Sequence, residues 1–374
     1  MNTDTDLIIA PVGISHLAGE TTDLLRPAAA GATQLRITTA AQLNGQPHLG
    51  TVTSLLSAFA VAAHTSERLD LPAHLVFDAL ENCPGETVEL GGDTYVKTVG
   101  DLIAAGTLDG TAREGGFRQL LDWGSAASGV DYEIRPYADY QALPDIRAAL
   151  HTIASRQDEF RSIVAPADGR LRIRPRCPEC QLMDKTARHL QISTDSTSVL
   201  LDSFCPHHGP YRETIPVEDP TGWYDANTPI RSIQKSALLA AERSHYQACS
   251  VSVDGADWGG GWYAHVIAPG LATLGVPAHQ WPLSVFAPLI TDATGGKLSK
   301  TLYVRHGAYA ELPSLFLDLD VLLAEHGEPV LRALWDEVRR WADDPRRLHR
   351  SYTVEYLQSL INAAIPTQRQ GDQA

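Results

Sequence analysis

No stretch of this 374-residue chain stays apolar for long enough to cross a bilayer; the most apolar run, Ser54–Ala63, falls well short of a span. No secretory leader is visible either: Met1–Asp6 is acidic, and no apolar segment of the leader type follows it. The expectation is a cytoplasmic protein with no membrane partner. Positive charge is scarce. Against 45 Asp and Glu there are 30 Lys and Arg, a net charge of −15, which excludes a general nucleic-acid coat and leaves DNA out of the expected partners. A local basic patch remains compatible with that balance. Cysteine occurs five times, with three copies in one short region, a pattern that excludes a disulfide scaffold and points to metal. There is no internal repeat and no low-complexity linker. What remains is ordinary usage, 44% hydrophobic and 20% charged, in a chain long enough for two or three domains.

The chain is organised around residues 35–66. Leu35 and Ile37 mark a strand, Asn44-Gly45 and Pro47 break it, and Val52, Leu55, Leu56, Phe59 and Ala63 recur at helical spacing. A helix start after a strand and a Gly/Pro loop is an anion site, because free backbone N–H groups and the positive end of the dipole face the loop. His48 stands just ahead of that end, within reach of a phosphate, and Gly50 lets a base or phosphate approach the backbone. Ala73–Asp78 reads as the next strand, completing a βαβ unit and hence a parallel sheet. Asp78 lies at that strand's carboxyl end, where it or Glu81 could hold a substrate ammonium group; a turn-capping acid is the alternative. Glu86–Asp93 is polar and reads as a loop, Phe117–Leu121 as a short helix, Val130–Arg135 as a third strand, and Pro144 opens a long amphipathic helix reaching Phe160.

Cys177-Pro-Glu-Cys180 is followed by Cys205-Pro-His-His208, with strand-like Leu190–Ile192 and Ser198–Leu201 between them. Two knuckles at that separation make a zinc ribbon. Cys177, Cys180 and Cys205 supply three thiolates. His208 matches the first knuckle's spacing as the fourth ligand, with His207 as the alternative. A full four-ligand shell leaves no open position, so the zinc is structural. Cys83 and Cys249 stand alone and read as buried thiols.

Beyond the ribbon, Thr228 starts a helix, and Cys249–Val253 is a strand that ends in Asp254-Gly255-Ala256-Asp257 and a glycine run. Trp281–Ile290 is the last strand. It leads into Gly295-Gly296-Lys297-Leu298-Ser299-Lys300-Thr301, where two lysines three apart on a glycine-hinged loop can reach one polyphosphate. Residues 302–374 leave room for two to four helices.

Together, His48-Leu49-Gly50-Thr51 and Lys297-Leu298-Ser299-Lys300-Thr301 resemble the HIGH and KMSKS signatures of class I aminoacyl-tRNA synthetases. Within that class the closest resemblance, over about 35–305, is to the catalytic half of class I lysyl-tRNA synthetase. The first motif ends in Thr51 instead of His, and residues 302–374 are expected to be too few for the large anticodon-reading C-terminal domain of that family. The resemblance implies a Rossmann-like (HUP-type) α/β fold: a first catalytic half over 1–165, the zinc ribbon over 166–220, a second half over 221–305 and a small helical region over 306–374. It implies ATP-dependent amino-acid activation, of lysine type at its most specific, with transfer to a tRNA acceptor end or to a small amine, carrier protein or peptide. ATP and Mg2+ are the implied cosubstrate and ion. ATP binding falls to His48, Gly50, Thr51, Gly255, Asp257, Lys297, Ser299 and Lys300, with Asp257 as the ribose ligand and His48, Lys297 and Lys300 as the catalytic set. The amino acid falls to Asp78. A catalytically silent relative that binds adenylate or tRNA is the alternative, and a nucleotidyltransferase of the same superfamily is a third.

Overall fold

The computed structural model describes residues 19–298 and 312–364. Five strands form one parallel sheet: β1 (Gln34–Gln42), β2 (Ala73–Leu80), β3 (Asp131–Pro136), β4 (Ala248–Gly255) and β5 (Leu283–Ala287). Their order is β5-β4-β1-β2-β3. The chain steps from β1 outward to β3, then returns on the other side of β1. The reversal opens a crevice at the carboxyl ends of β1 and β4, where open α/β sheets bind ligands. The fold is α/β, with the parallel sheet interrupted by the Cys-rich ribbon and followed by a small helical region.

The two faces of the sheet differ. Leu35 and Ile37 on β1, Leu75 and Phe77 on β2, Cys249, Val251 and Val253 on β4, and Val285 on β5 enter one apolar cluster with helix α1 (Leu49–Leu69). Alternation puts Arg36 and Thr38, Asp78, Ser250, Ser252, Asp254 and Ser284 on the opposite face. Parallel strands are usually apolar on both faces. Here the second face is polar because helix α2 (Thr228–Tyr246) answers it with charge. Ser250 Oγ donates to Glu242 at 2.6 Å, Arg36 Nε lies 3.2 Å from the same carboxylate, and Lys235 Nζ lies 3.3 Å from both oxygens of Asp254.

α1 is longer and more apolar than the sequence reading allowed: by length and composition it could cross a membrane. It is a core helix instead, apolar nearly all round because protein covers it on both sides. The sheet lies on one flank, and α3 (Pro329–Asp343) packs on the other with Leu331, Leu334, Val338 and Trp341. The C-terminal helices share this cluster through Leu357 and Ile361 and do not build a separate core. Gly124, on the helix Gly110–Ser128, lies against Phe59 of α1; an added Cβ would stand 2.6 Å from the ring. Gly124→Ala is therefore expected to destabilise the protein by about 1–3 kcal/mol through overpacking, although alanine is the better helix former. A lower urea midpoint is the check, and a raised one would show that the two helices can part.

Four local expectations need correction. Residues 86–93 are not a loop but part of a hairpin, Pro84–Leu90 with Asp93–Thr98. Its turn, Gly91-Gly92, has φ of 62° and 85°, as a two-residue hairpin requires. Its polar residues are exposed because the first strand is the edge of its three-stranded sheet. The short helix at Phe117 extends over Gly110–Ser128. The long helix from Pro144 breaks at Arg156 into Pro144–Ser155 and Gln157–Val164. The last strand stops at Ala287; Ile290–Thr291 pairs separately with Tyr352–Thr353, so the C-terminal region holds the root of the lysine loop.

Candidate active site

A cavity of about 440 Å3 opens at the carboxyl ends of β1, β2, β4 and β5. His48, Gly50, Thr51, Asp78, Gly255, Asp257 and Lys297 all line it. The first motif and the start of the second, Lys297 and Leu298, distant in sequence, thus face one space. Ser299, Lys300 and Thr301 lie outside the described residues.

His48 is the N-cap of α1. Its Nδ1 accepts the backbone N–H of Gly50 at 3.1 Å and of Thr51 at 3.4 Å. The helix start is therefore not the open anion site expected from the sequence, since the imidazole occupies two of its first N–H groups. With Nδ1 accepting, the neutral ring carries its proton on Nε2. Gly50 is explained by the same contact. A Cβ there would lie 3.0 Å from His48 Cε1 and 3.2 Å from Nδ1, so glycine makes room for the ring itself.

Asp257 and Lys297 form an ion pair across the mouth of the cavity. Gly255 makes this possible, because a Cβ there would stand 2.7 Å from Asp257 Oδ1. Lys297 is presented by a tight turn whose organiser is Asp292. Its Oδ1 accepts from Thr294 N at 2.9 Å, Thr294 Oγ1 at 2.6 Å and Gly296 N at 3.0 Å, while Gly295 takes φ 82°. The Thr294 hydroxyl, helped by the two backbone N–H groups, holds the Asp292 carboxyl below its usual range. An Asp-x-Thr-Gly-Gly run is an Asx-turn signal that sequence reasoning could have found.

Asp78 is 2% exposed and accepts Arg135 Nε at 2.6 Å through Oδ1; its Oδ2 has no hydrogen-bond partner among the described residues. Glu81, the alternative, turns away to accept the Tyr137 N–H at 2.7 Å, and burial raises its carboxyl above the usual range. His265 is exposed and does not line the cavity; Trp262, just before the π-helical turn Tyr263–Ile267, and Ile267, at its end, do. The sequence reading also passed over the α2 face. Thr228, Arg231, Ser232, Lys235 and Ser236, at i, i+3, i+4, i+7 and i+8, all line the cavity. The spacing was legible, but what that face would meet was not.

Cys177, Cys180, Cys205 and His208 bring their ligand atoms within 4.8 Å of one another. Cys180 and Cys205 sulfurs are 3.5 Å apart, and His208 Nδ1 is 3.5 Å from the sulfurs of Cys177 and Cys205. A tetrahedral zinc with Zn–S near 2.3 Å has sulfur–sulfur edges of roughly 3.8 Å, so the cluster fits that ion closely. His208, not His207, completes it. Each knuckle is followed by a left-handed residue, Gln181 at φ 65° and Gly209 at φ 80°. Burial opposes ionisation of the Cys205 thiol, but the N–H groups of His207 and His208 prevail and bring it down to about 7, which favours the thiolate a metal needs.

No protein-family model matches the chain, and no curated protein matches it. Among solved structures it is similar to Mycobacterium tuberculosis methionyl-tRNA synthetase in complex with methionyl-adenylate, at 13% identity and a TM-score of 0.39, covering 88% of this chain and 68% of that one. It is also similar to glutamate-tRNA synthetase from Elizabethkingia anophelis, at 13% identity and a TM-score of 0.38, covering 87% and 70%.

Proposed function

We propose that the cavity binds ATP and an amino acid and joins them as an aminoacyl-adenylate, in the manner of a class I aminoacyl-tRNA synthetase. One observation carries this reading: the His48 helix start, the Asp257 turn and the Lys297 turn converge on one cavity at the switch point of a parallel sheet. A substrate carboxylate oxygen attacks the α-phosphorus, the bond to the β-phosphate bridging oxygen breaks, and pyrophosphate leaves. The carboxylate is already ionised at neutral pH, so no general base is required. Asp257 takes the ribose hydroxyls, and Lys297 with Lys300 offsets the charge that builds on the leaving pyrophosphate. The Lys297–Asp257 ion pair opens as the nucleotide enters, each partner exchanging the other for a group of matching chemistry. His48 Nε2–H donates to a phosphate oxygen, and Asp78 Oδ2 accepts the substrate ammonium. Mg2+ accompanies the polyphosphate of ATP. The acyl group then passes to a tRNA acceptor end or to another nucleophile, a small amine, carrier protein or peptide. Zinc on the Cys3His cluster folds the ribbon and takes no part in the chemistry.

Amino-acid-dependent exchange of labelled pyrophosphate into ATP tests this. Lys297→Ala is expected to lower the exchange rate by roughly 10²–10³-fold with little change in melting temperature. Absence of exchange with every amino acid, together with no ATP binding by calorimetry, would overturn the reading.

A further inference from the structure

Three carboxylates line the described part of the cavity, and each has a cation: Asp78 with Arg135 at 2.6 Å, Asp254 with Lys235 at 3.3 Å, and Asp257 with Lys297. Arg231 lines the same cavity without a carboxylate among the described residues. Its guanidinium reaches only neutral acceptors, the Ala226 carbonyl at 3.2 Å and Thr228 Oγ1 at 3.4 Å. Such a planar fork of donors, half-buried beside a cavity, is complementary to a bidentate anion. The second observation is the buried Asp78 Oδ2, which accepts nothing from the described residues. One side chain links the two. Arg135, the partner of Asp78, lies 5.6 Å from the centre of the Tyr140 ring, and the Tyr140 hydroxyl donates to the Arg231 carbonyl at 3.2 Å. Burial keeps that phenol well above its usual range and so a neutral donor. Among the described residues, an oxygen lacking a donor and a guanidinium lacking an anion thus line one cavity, with Tyr140 touching Arg135 through its ring and the Arg231 backbone through its hydroxyl.

We infer that the acyl substrate is a dicarboxylic α-amino acid of the aspartate–glutamate class, its ammonium on Asp78 Oδ2 and its side-chain carboxylate on the Arg231 guanidinium. The α-carboxylate is then left to face the triphosphate site. This rests on the activation reading only for what the α-carboxylate does next; the binding stands without it. It departs from the lysine-type expectation, because a lysine side chain would bring an ammonium group against Arg231. A glutamine side chain would present an N–H2 to a group that can only donate, so the amide is disfavoured as well.

Calorimetry on the full chain with L-glutamate, L-aspartate, L-glutamine and L-lysine decides the matter. One of the two acids is expected to bind about 100-fold more tightly than L-glutamine and L-lysine, the worth of a charge-assisted pair. Arg231→Gln should erase that margin at an unchanged melting temperature, and Arg231→Lys should restore part of it, since it keeps the charge without the fork. If neither acid binds, if lysine or a neutral amino acid binds more tightly than both, or if folded Arg231→Gln keeps the margin, the inference falls. Should Arg231→Gln fail to fold, the wild-type affinity series alone decides it. Pyrophosphate exchange run in parallel separates the two readings. Acid binding without exchange for any amino acid sinks activation and keeps this assignment; exchange driven by lysine or a neutral amino acid does the reverse.

Discussion

Cys177→Ser is expected to release the metal and unfold the ribbon, the largest effect any single substitution should have in this chain. Binding of structural zinc to a four-ligand site is worth roughly 10 kcal/mol or more at neutral pH, and where the site forms only on folding that energy is folding energy. The ribbon has little else at its tip. Val199, Leu201 and Ile215 bury themselves at its base, against the helices Pro144–Ser155 and Gln157–Val164, while the ligands sit at the far turns. Loss should spread to the hairpin strand Asp93–Thr98, because Tyr95 and Val96 pair with Asp184 and Met183 just beyond the first knuckle. Zinc content by elemental analysis and amide exchange over 173–216 are the measurements. His207→Ala serves as the control and should keep its metal, whereas His208→Ala should not. A metal-free wild-type preparation with fully protected ribbon amides would show that the cluster is not a folding site.

Arg147→Met should cost about 2–4 kcal/mol, although it touches no carboxylate and no ligand. Arg147 is 1% exposed, and the four N–H groups on Nη1 and Nη2 are shared among five backbone carbonyls: Pro216 at 2.9 Å, Asp219 at 2.8 Å, Pro220 at 3.0 Å, Thr221 at 2.7 Å and Gly222 at 3.1 Å. The loop returning from the ribbon to α2 is wrapped around this one side chain. Methionine matches the length of the stem but supplies no donor, so the carbonyls must find water or remain unpaired. Arg147→Lys should recover only a minor part, because three donors on a point charge cannot serve five acceptors arranged around a plane. Urea unfolding reads the effect, and a midpoint close to wild type in Arg147→Met would show that water replaces the guanidinium at no cost.

Local features were legible because local chain properties specify them. The Cys-Pro-x-Cys and Cys-Pro-x-His knuckles carry their own turn geometry, the strand–loop–helix around His48 is a run of two periodicities with breakers between, and the Gly295 turn is written in glycines. The hairpin at 84–98 was misread because an exposed strand has no apolar alternation to show. The break at Arg156 was missed because no proline or glycine marks it. The α2 face could be drawn on a helical wheel, yet nothing in the wheel says that it covers a polar sheet face instead of water.

By itself, then, the sequence determined the class of fold, the Cys3His residue set of the ribbon and the two stretches bearing the imidazole and the lysines, since each is carried by short local runs of residues. Tertiary structure decided the rest: that His48 turns back to cap its own helix, that Asp257 meets Lys297, that Arg231 faces the cavity without a carboxylate among the described residues, and that Arg147 closes a loop some 70 residues on. These are pairings between side chains on different elements. Their partners are chosen by which faces the sheet order and helix packing bring together, a choice made by burial across the whole core.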